Sequence, residues 1–125
     1  MTEPKIGDRI KDGTIYAGAS PDGTPLFTTP ADAPLTMTFN DAKEYARKLD
    51  AHGHNDWRLP TEAELNVLFN NRAAIGGFDT SGSSPAGWYW SASPYNGSDA
   101  WGQRFSDGCQ DHGTKNYLSS VRCVR

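Results

Sequence analysis

The sequence predicts an α+β fold with an antiparallel sheet. Short β-prone runs stand near both ends of the chain, two helix-start signals lie between them, and Gly- and Pro-rich connections separate the pieces. Four tryptophans, five tyrosines and five phenylalanines argue for a packed globule, while thirteen glycines and eight prolines make it loop-rich. A length of 125 residues suits one domain over 1–125. Such a chain is large enough to bury a core without metal or disulfide staples.

The elements follow in order. Residues 13–18 read as a short strand, Ser20-Pro21-Asp22-Gly23 as a turn, and residues 25–29 as the return strand. Pro presets φ within that turn and Gly supplies positive φ at its end. Residues 30–34 form an irregular connection. Thr38 to Asp41 resembles a capping box, so a helix is expected over 39–51, with Ala42, Tyr45, Ala46 and Leu49 on one apolar face. Gly53 is suited to the position just past its end. Thr61-Glu62-Ala63-Glu64 is a full capping box after Pro60, which starts a second helix over 62–69 with Leu65, Leu68 and Phe69 inward. Residues 70–87 read as a long loop. Three strands then follow, at 88–93, 100–105 and 120–125.

Charge and hydropathy exclude several functions. The formal net charge is -3, and no Lys/Arg run exceeds a pair. A phosphate-backbone binder needs a basic face, so nucleic acid is not an expected partner. No apolar stretch approaches the ~20 residues that span a bilayer. The start of the chain has no apolar h-region, so a cytoplasmic location, or a place in a larger surface or virion assembly, is expected. Cys109 and Cys123 allow one disulfide, but two free thiols are the default in a reducing compartment.

Particular residues carry more than pattern. Asp56-Trp57-Arg58-Leu59-Pro60-Thr61, then Glu64-Leu65, Trp88-Tyr89-Trp90-Ser91, Trp101, Phe105, Gly108 and Val121-Arg122-Cys123-Val124-Arg125 resemble the DUF1566 family. The likeness covers roughly residues 35–125. It implies a C-type-lectin-like fold, with two helices packed on small antiparallel sheets, long loops, and an opening hairpin where early and terminal strands meet. Relatives serve as binding domains, including the C-terminal domain of a bacterial collagen-like adhesin that recognises glycosaminoglycans. The related fold is catalytic in formylglycine-generating enzymes and carries hypervariable positions in retroelement-diversified receptor-binding proteins. Fold alone therefore does not set the activity.

The sequence also departs from relatives of that fold. Lectins that hold sugar through calcium use Glu-Pro-Asn or Gln-Pro-Asp with Trp-Asn-Asp, and this chain has none of these triplets. No dense set of oxygen ligands replaces them, so no metal or other cofactor is expected. An acidic chain also lacks the basic surface that a glycosaminoglycan needs.

Most of the other candidate residues suit a structural role. Trp57 and Leu59 read as core, and Arg58 as an internal ion-pair partner at the strand-to-helix junction. Arg122 and Arg125 read the same way, with Asp56 or Glu64 as partners for one of them. Trp88, Trp90, Trp101 and Phe105 at strand spacing read as core, while Tyr89 suits either side. His52 and His54 lack further ligands nearby and read as a helix-end loop, although His112 is a conceivable third. No nucleophile motif is present, so no enzyme is expected.

The stretch from Ser93 to Asn116 is different. Its short polar residues alternate with tyrosine between the anchors Trp101, Phe105 and Gly108, the composition of adaptable recognition surfaces. Tyr95, Asn96, Asp99, Gln110, Asp111, His112, Asn116 and Tyr117 are the candidate ligand-binding residues, presented on a pair of hairpin loops. The expected activity is non-catalytic recognition of a protein or glycan. The alternatives are an enzyme of the formylglycine-generating type, which would need a reactive Cys109–Cys123 couple, and a receptor-binding surface diversified by a retroelement.

Overall fold

Residues 4–125 are described by the computed structural model. Three helices pack against two small antiparallel sheets. β1 (Ile15–Ala19) and β2 (Pro25–Thr28) form the first sheet, with a register shift between Tyr16 and Gly18. Their turn is held by the Asp22 carboxylate, which accepts from the Thr24 amide and hydroxyl and from Ser20. Those hydroxyls and that amide hold the Asp22 carboxyl down at about 2.

α1 (Phe39–Lys48) starts where the capping pattern places it, with Thr38 accepting from the Asp41 amide at 3.4 Å. Phe39, Ala42 and Ala46 are its buried face. The helix stops at Lys48, short of the expected residue 51, because Leu49 turns to an extended conformation with ψ 122°. Ala51 and His54 then close a tight bridge, and the Ala51 carbonyl accepts the Trp57 indole N–H at 3.1 Å. Burying that indole outweighs one further helical turn.

α2 (Glu62–Asn70) has the full capping box that its sequence announces. Glu64 accepts from the Thr61 amide at 2.9 Å, and the Arg58 guanidinium grips the same carboxylate in two contacts of 2.5 and 2.8 Å. Arg58 therefore has the internal partner that its position suggested. Glu64→Ala is expected to cost about 1–2 kcal/mol at neutral pH, measured as a urea unfolding midpoint. Arg58 holds the Glu64 carboxyl below the usual range, against the effect of burial. A lowered folded pKa means stability present above the unfolded pKa and lost as pH falls through the folded one. The cost of the substitution therefore shrinks on acidification. A cost that stays constant through that titration would show that Glu64 acts by packing alone.

The expected loop over 70–87 contains a short helix, α3 (Arg72–Ile75), which corrects that reading. A loop this long is fastened at intervals. The Asn71 side-chain amide donates to the Ala17 carbonyl at 3.0 Å, and Ile75 is buried against the first sheet's core.

β3 (Trp88–Pro94), β4 (Asp99–Arg104) and β5 (Gln110–Thr114) form the second sheet in that order. β5 lies within the stretch expected to be loop, and residues 120–125 are not a strand of the sheet, so both assignments are corrected. Four polar residues and one glycine along 110–114 give little apolar signal, yet the register is continuous from Asp99 opposite Thr114 to Gln103 opposite Gln110. The β4–β5 turn needs Gly108: its φ is 81°, and a Cβ there would stand 2.5 Å from the Phe69 ring. Residues 119–125 run instead as an extended tie between the two sheets. Ser120 bonds to Trp88 and Trp90 at the free edge of β3, while Arg125 exchanges two bonds with Phe27 of β2 at 2.8 and 2.9 Å. Early and terminal segments thus meet, as the resemblance implied.

Two cores flank the tie and β3. Leu26, Leu65, Leu68, Tyr89, Phe105 and Val124 belong to one, and Phe39, Trp57, Leu59, Trp90, Val121 and Cys123 to the other. Tyr89, left open by the sequence, is fully buried. Arg122 is also inside, with a wholly buried side chain that pairs with Asp32 at 2.9 Å. It donates further to the carbonyls of Thr29 and Gly76 and lies 3.9 Å above the Phe78 ring. Tyr89 donates its hydroxyl to the same Asp32 and accepts from the Asp79 amide. Burial raises the Tyr89 hydroxyl and the Asp32 carboxyl alike, Arg122 opposing the latter. Arg125 pairs with Asp56 in two contacts of 2.6 and 3.0 Å. Among the described residues no helix is long and apolar enough to cross a membrane.

Candidate functional site

The register of the second sheet divides the candidate residues between its two faces. Trp90 pairs with Gly102, and Gly102 with Asp111, so these three share one face with Trp88, Arg104 and Gly113. Trp101 pairs with His112 and Gln103 with Gln110, which places these four on the other face with Tyr89. The eight predicted residues therefore do not form one surface.

Tyr95, Asp99 and His112 do come together, around Trp101. The Tyr95 and His112 rings stack with centroids 3.7 Å apart and planes within 4°, and both stand edge-on to the Trp101 indole. His112 Nδ1 lies 2.8 Å from an Asp99 carboxylate oxygen. The hairpin turn that sets this geometry is built by Asn96, whose side-chain oxygen accepts from the Ser98 and Asp99 amides at 2.9 and 2.8 Å. Asn96 is thus a turn former that positions its neighbours. Tyr95 keeps about half of its surface exposed, 49%, so the cluster presents a held aromatic edge to solvent.

Gln110 stands on the same face but at the other end of the strand, beside an open recess lined also by Thr61, Glu62, Asn66 and Ser93. Behind it Gln103 is buried, donating to Asn66 Oδ1 and the Gly108 carbonyl at 2.9 and 3.1 Å. Its own side-chain oxygen has no partner among the described residues. Gln103 and Trp101 are the residues near this site that sequence reasoning missed as site members. Trp101 was hidden because aromatic residues at strand spacing read as core, and Gln103 is one polar residue among many in the candidate stretch.

The opposite face carries a groove of about 210 Å³. Trp88 and Trp90 line it from β3, Asp111 from β5, and Tyr117 and Leu118 from the segment after β5. Its floor is glycine. Gly102 separates Trp90 from Asp111 in one cross-strand row, and Gly113 pairs with Ala100 in the next. Leaving out those side chains is what opens the groove, and Tyr117 lies down over Gly113, 3.4 Å from where a Cβ would be. Tyr117 is 64% exposed and Leu118 49%, an unusual pairing of apolar side chains at the surface. Asn116 is exposed in the turn before them and joins neither cluster.

The remaining chemistry-bearing residues are structural or separate. His54 pairs with Asp12 at 2.7 Å, and the His52 and His54 rings both stand edge-on to the Trp57 indole. Among the described residues no group of three or more His, Cys, Asp or Glu is placed to hold a metal ion. The two cysteines are free: Cys109 is exposed, and Cys123 is buried with its thiol pushed up to about 12 by that burial.

The fold and these two clusters define an α+β protein whose second sheet presents ordered aromatic side chains on both faces. The family model described as the Lcl C-terminal domain matches residues 19–125, and the chain belongs to that family. No curated protein matches the sequence.

Proposed function

We propose that this chain is a non-catalytic recognition module that binds a macromolecular partner, protein or glycan, through the β3–β4 turn, β5 and the segment that follows it. The observation carrying this reading is the conjunction of exposed aromatic side chains with rigid support. Tyr95 is stacked on His112 and braced by Trp101, while Tyr117 rests on a glycine strand position. Rings held in place this way lose little conformational entropy on contact, which favours binding. Membership in the Lcl C-terminal domain family agrees with a module attached to other chain segments. The C-type-lectin-like fold and the kinship with DUF1566 are part of the same proposal. They are supported by two helices packed on two small antiparallel sheets and by early and terminal segments joined at Phe27 and Arg125. Against the formylglycine-type alternative stands Cys123, whose buried thiol with a pKa of about 12 is a poor member of a reactive couple.

The test is a glycan array, run with calcium and with chelator, beside a peptide-display selection. Wild type is compared with the double variant Tyr95→Ala/Tyr117→Ala in both. A hit is expected that the double variant loses while its melting temperature stays near that of wild type. A hit that the double variant retains would remove this surface from the binding site. A glycan hit lost in chelator would show that a metal takes part in recognition.

A further inference from the structure

The groove between Trp88 and Tyr117 has a charge pattern that selects its occupant, and we propose that it receives a lysine side chain of a protein partner. This inference rests on the recognition reading above and names the group recognised. Its walls are aromatic, and among the described residues neither the Trp88 nor the Tyr117 ring packs against another ring. No other ring therefore covers their π surfaces. Trp88 already accepts a cation on its ring: the Arg104 guanidinium lies 5.5 Å from the centroid. Arg104 brings no net charge, because Asp107 holds it in two contacts of 3.1 and 2.6 Å.

Asp111 is the charge left over. It is exposed, forms no ion pair among the described residues, and lines the groove across the gap that Gly102 leaves. One of its oxygens accepts from the His112 amide at 2.8 Å, which leaves the other available. His112 cannot neutralise it, since that ring is held by Asp99 on the far face of the sheet. A carboxylate beside aromatic walls attracts an organic cation through both its charge and the ring quadrupoles.

The lining of the groove decides which cation. An ammonium is a compact point charge that one carboxylate contact satisfies, carried on a flexible apolar stem. The four-carbon stem of lysine also suits a groove with an apolar lining, where it can lie along the rings with its charged end at the carboxylate. The lining serines, Tyr117 and Trp88 carry polar atoms that the hydroxyls of a sugar can also meet, but a neutral sugar leaves the unpaired Asp111 charge unused.

The test is a two-dimensional amide NMR titration with Nα-acetyl-lysine methylamide, paralleled by the norleucine analogue, which has the same stem and no amine. The lysine probe is expected to bind with Kd on the order of millimolar, shifting the Asp111, Gly113 and Tyr117 amides and the Trp88 indole N–H. The norleucine probe should be weaker by roughly tenfold, and Asp111→Asn should bring the lysine probe down to the norleucine level. The unchanged amide spectrum of Asp111→Asn away from the groove serves as the folding control. Equal shifts from both probes, unchanged lysine binding in Asp111→Asn, or no saturable shift would each overturn the proposal. A display hit kept by Asp111→Asn but lost in Tyr95→Ala/Tyr117→Ala overturns the lysine groove alone and leaves the recognition reading standing.

Discussion

Arg122→Met is expected to lower the unfolding free energy by about 3–5 kcal/mol, read from urea midpoints at neutral pH. The size follows from what the guanidinium leaves behind. Asp32 would lose its only ion-pair partner among the described residues, and the Thr29 and Gly76 carbonyls would lose their donor. Asp32 already has its carboxyl raised by burial, with Arg122 the largest opposing influence, so it would move further toward the neutral form. Lysine is no remedy, because one ammonium cannot serve a carboxylate and two carbonyls from a planar fork. Adding Asp32→Asn to Arg122→Met should recover part of the loss, since the stranded charge goes with it. A double variant no better than the single one would show that the packing of Arg122 on Phe78, rather than its charge, accounts for the loss.

Phe105→Ala is the second substitution with a large expected effect, about 3–5 kcal/mol. Phe105 is fully buried and meets the rings of Phe69, Phe78 and Tyr89 with centroids 5.6, 4.7 and 4.5 Å away. Truncation opens a cavity among three aromatic side chains that the backbone cannot close. Phe105→Leu keeps most of the volume and should cost about 1–2 kcal/mol. Because Phe105 directly follows β4, the alanine variant should also loosen the hairpin that carries Asp111 and His112. Hydrogen exchange at the β4 and β5 amides would then rise more than at α1. Uniform acceleration would instead mean that the hairpin opens only with the whole molecule.

Much of the fold could be read from residues whose local chemistry has one solution. Thr61 and Glu64 announce the start of α2, and the structure forms both halves of that capping box. Pro21 to Gly23 announces the first turn, and the β1–β2 hairpin closes around it. The errors fall where tertiary contacts override local signals. α1 gives up its last turn so that Trp57 can be buried, and nothing within residues 49–51 reveals that. β5 is polar and glycine-bearing, so its period-two pattern has no apolar residues to show itself, and only its pairing with β4 makes it a strand. The terminal alternation of valine, arginine and cysteine looks like a strand inside a sheet because both of its sides are buried, yet it pairs at isolated points with three different segments.

The candidate site was legible by composition and illegible by geometry. Tyrosine, aspartate and asparagine between aromatic anchors point to residues 93–116, the stretch that in the structure carries the Tyr95–His112 stack and Asp111. Which face of a strand each residue takes depends on registers that a sequence does not print. Asp111 and His112 are neighbours in the chain and serve opposite faces, and the groove beside Asp111 exists because Gly102 and Gly113 contribute nothing to it. An opening made by missing side chains leaves little trace in a sequence scanned for the residues that are there.

The tie formed by residues 119–125 has a mechanical meaning. Val121 and Cys123 sit in one core and Val124 in the other, with Arg122 between them reaching Asp32 and two loop carbonyls. Neither core can dissolve while the tie stays in place, and releasing the tie exposes both. The two halves of the molecule are therefore coupled into a single cooperative unfolding event. The β4–β5 edge lies outside this coupling, fastened by its ladder and its turns. Thermal fluctuations can open it while the rest stays shut, so its amides are expected to exchange with solvent ahead of those in the two cores.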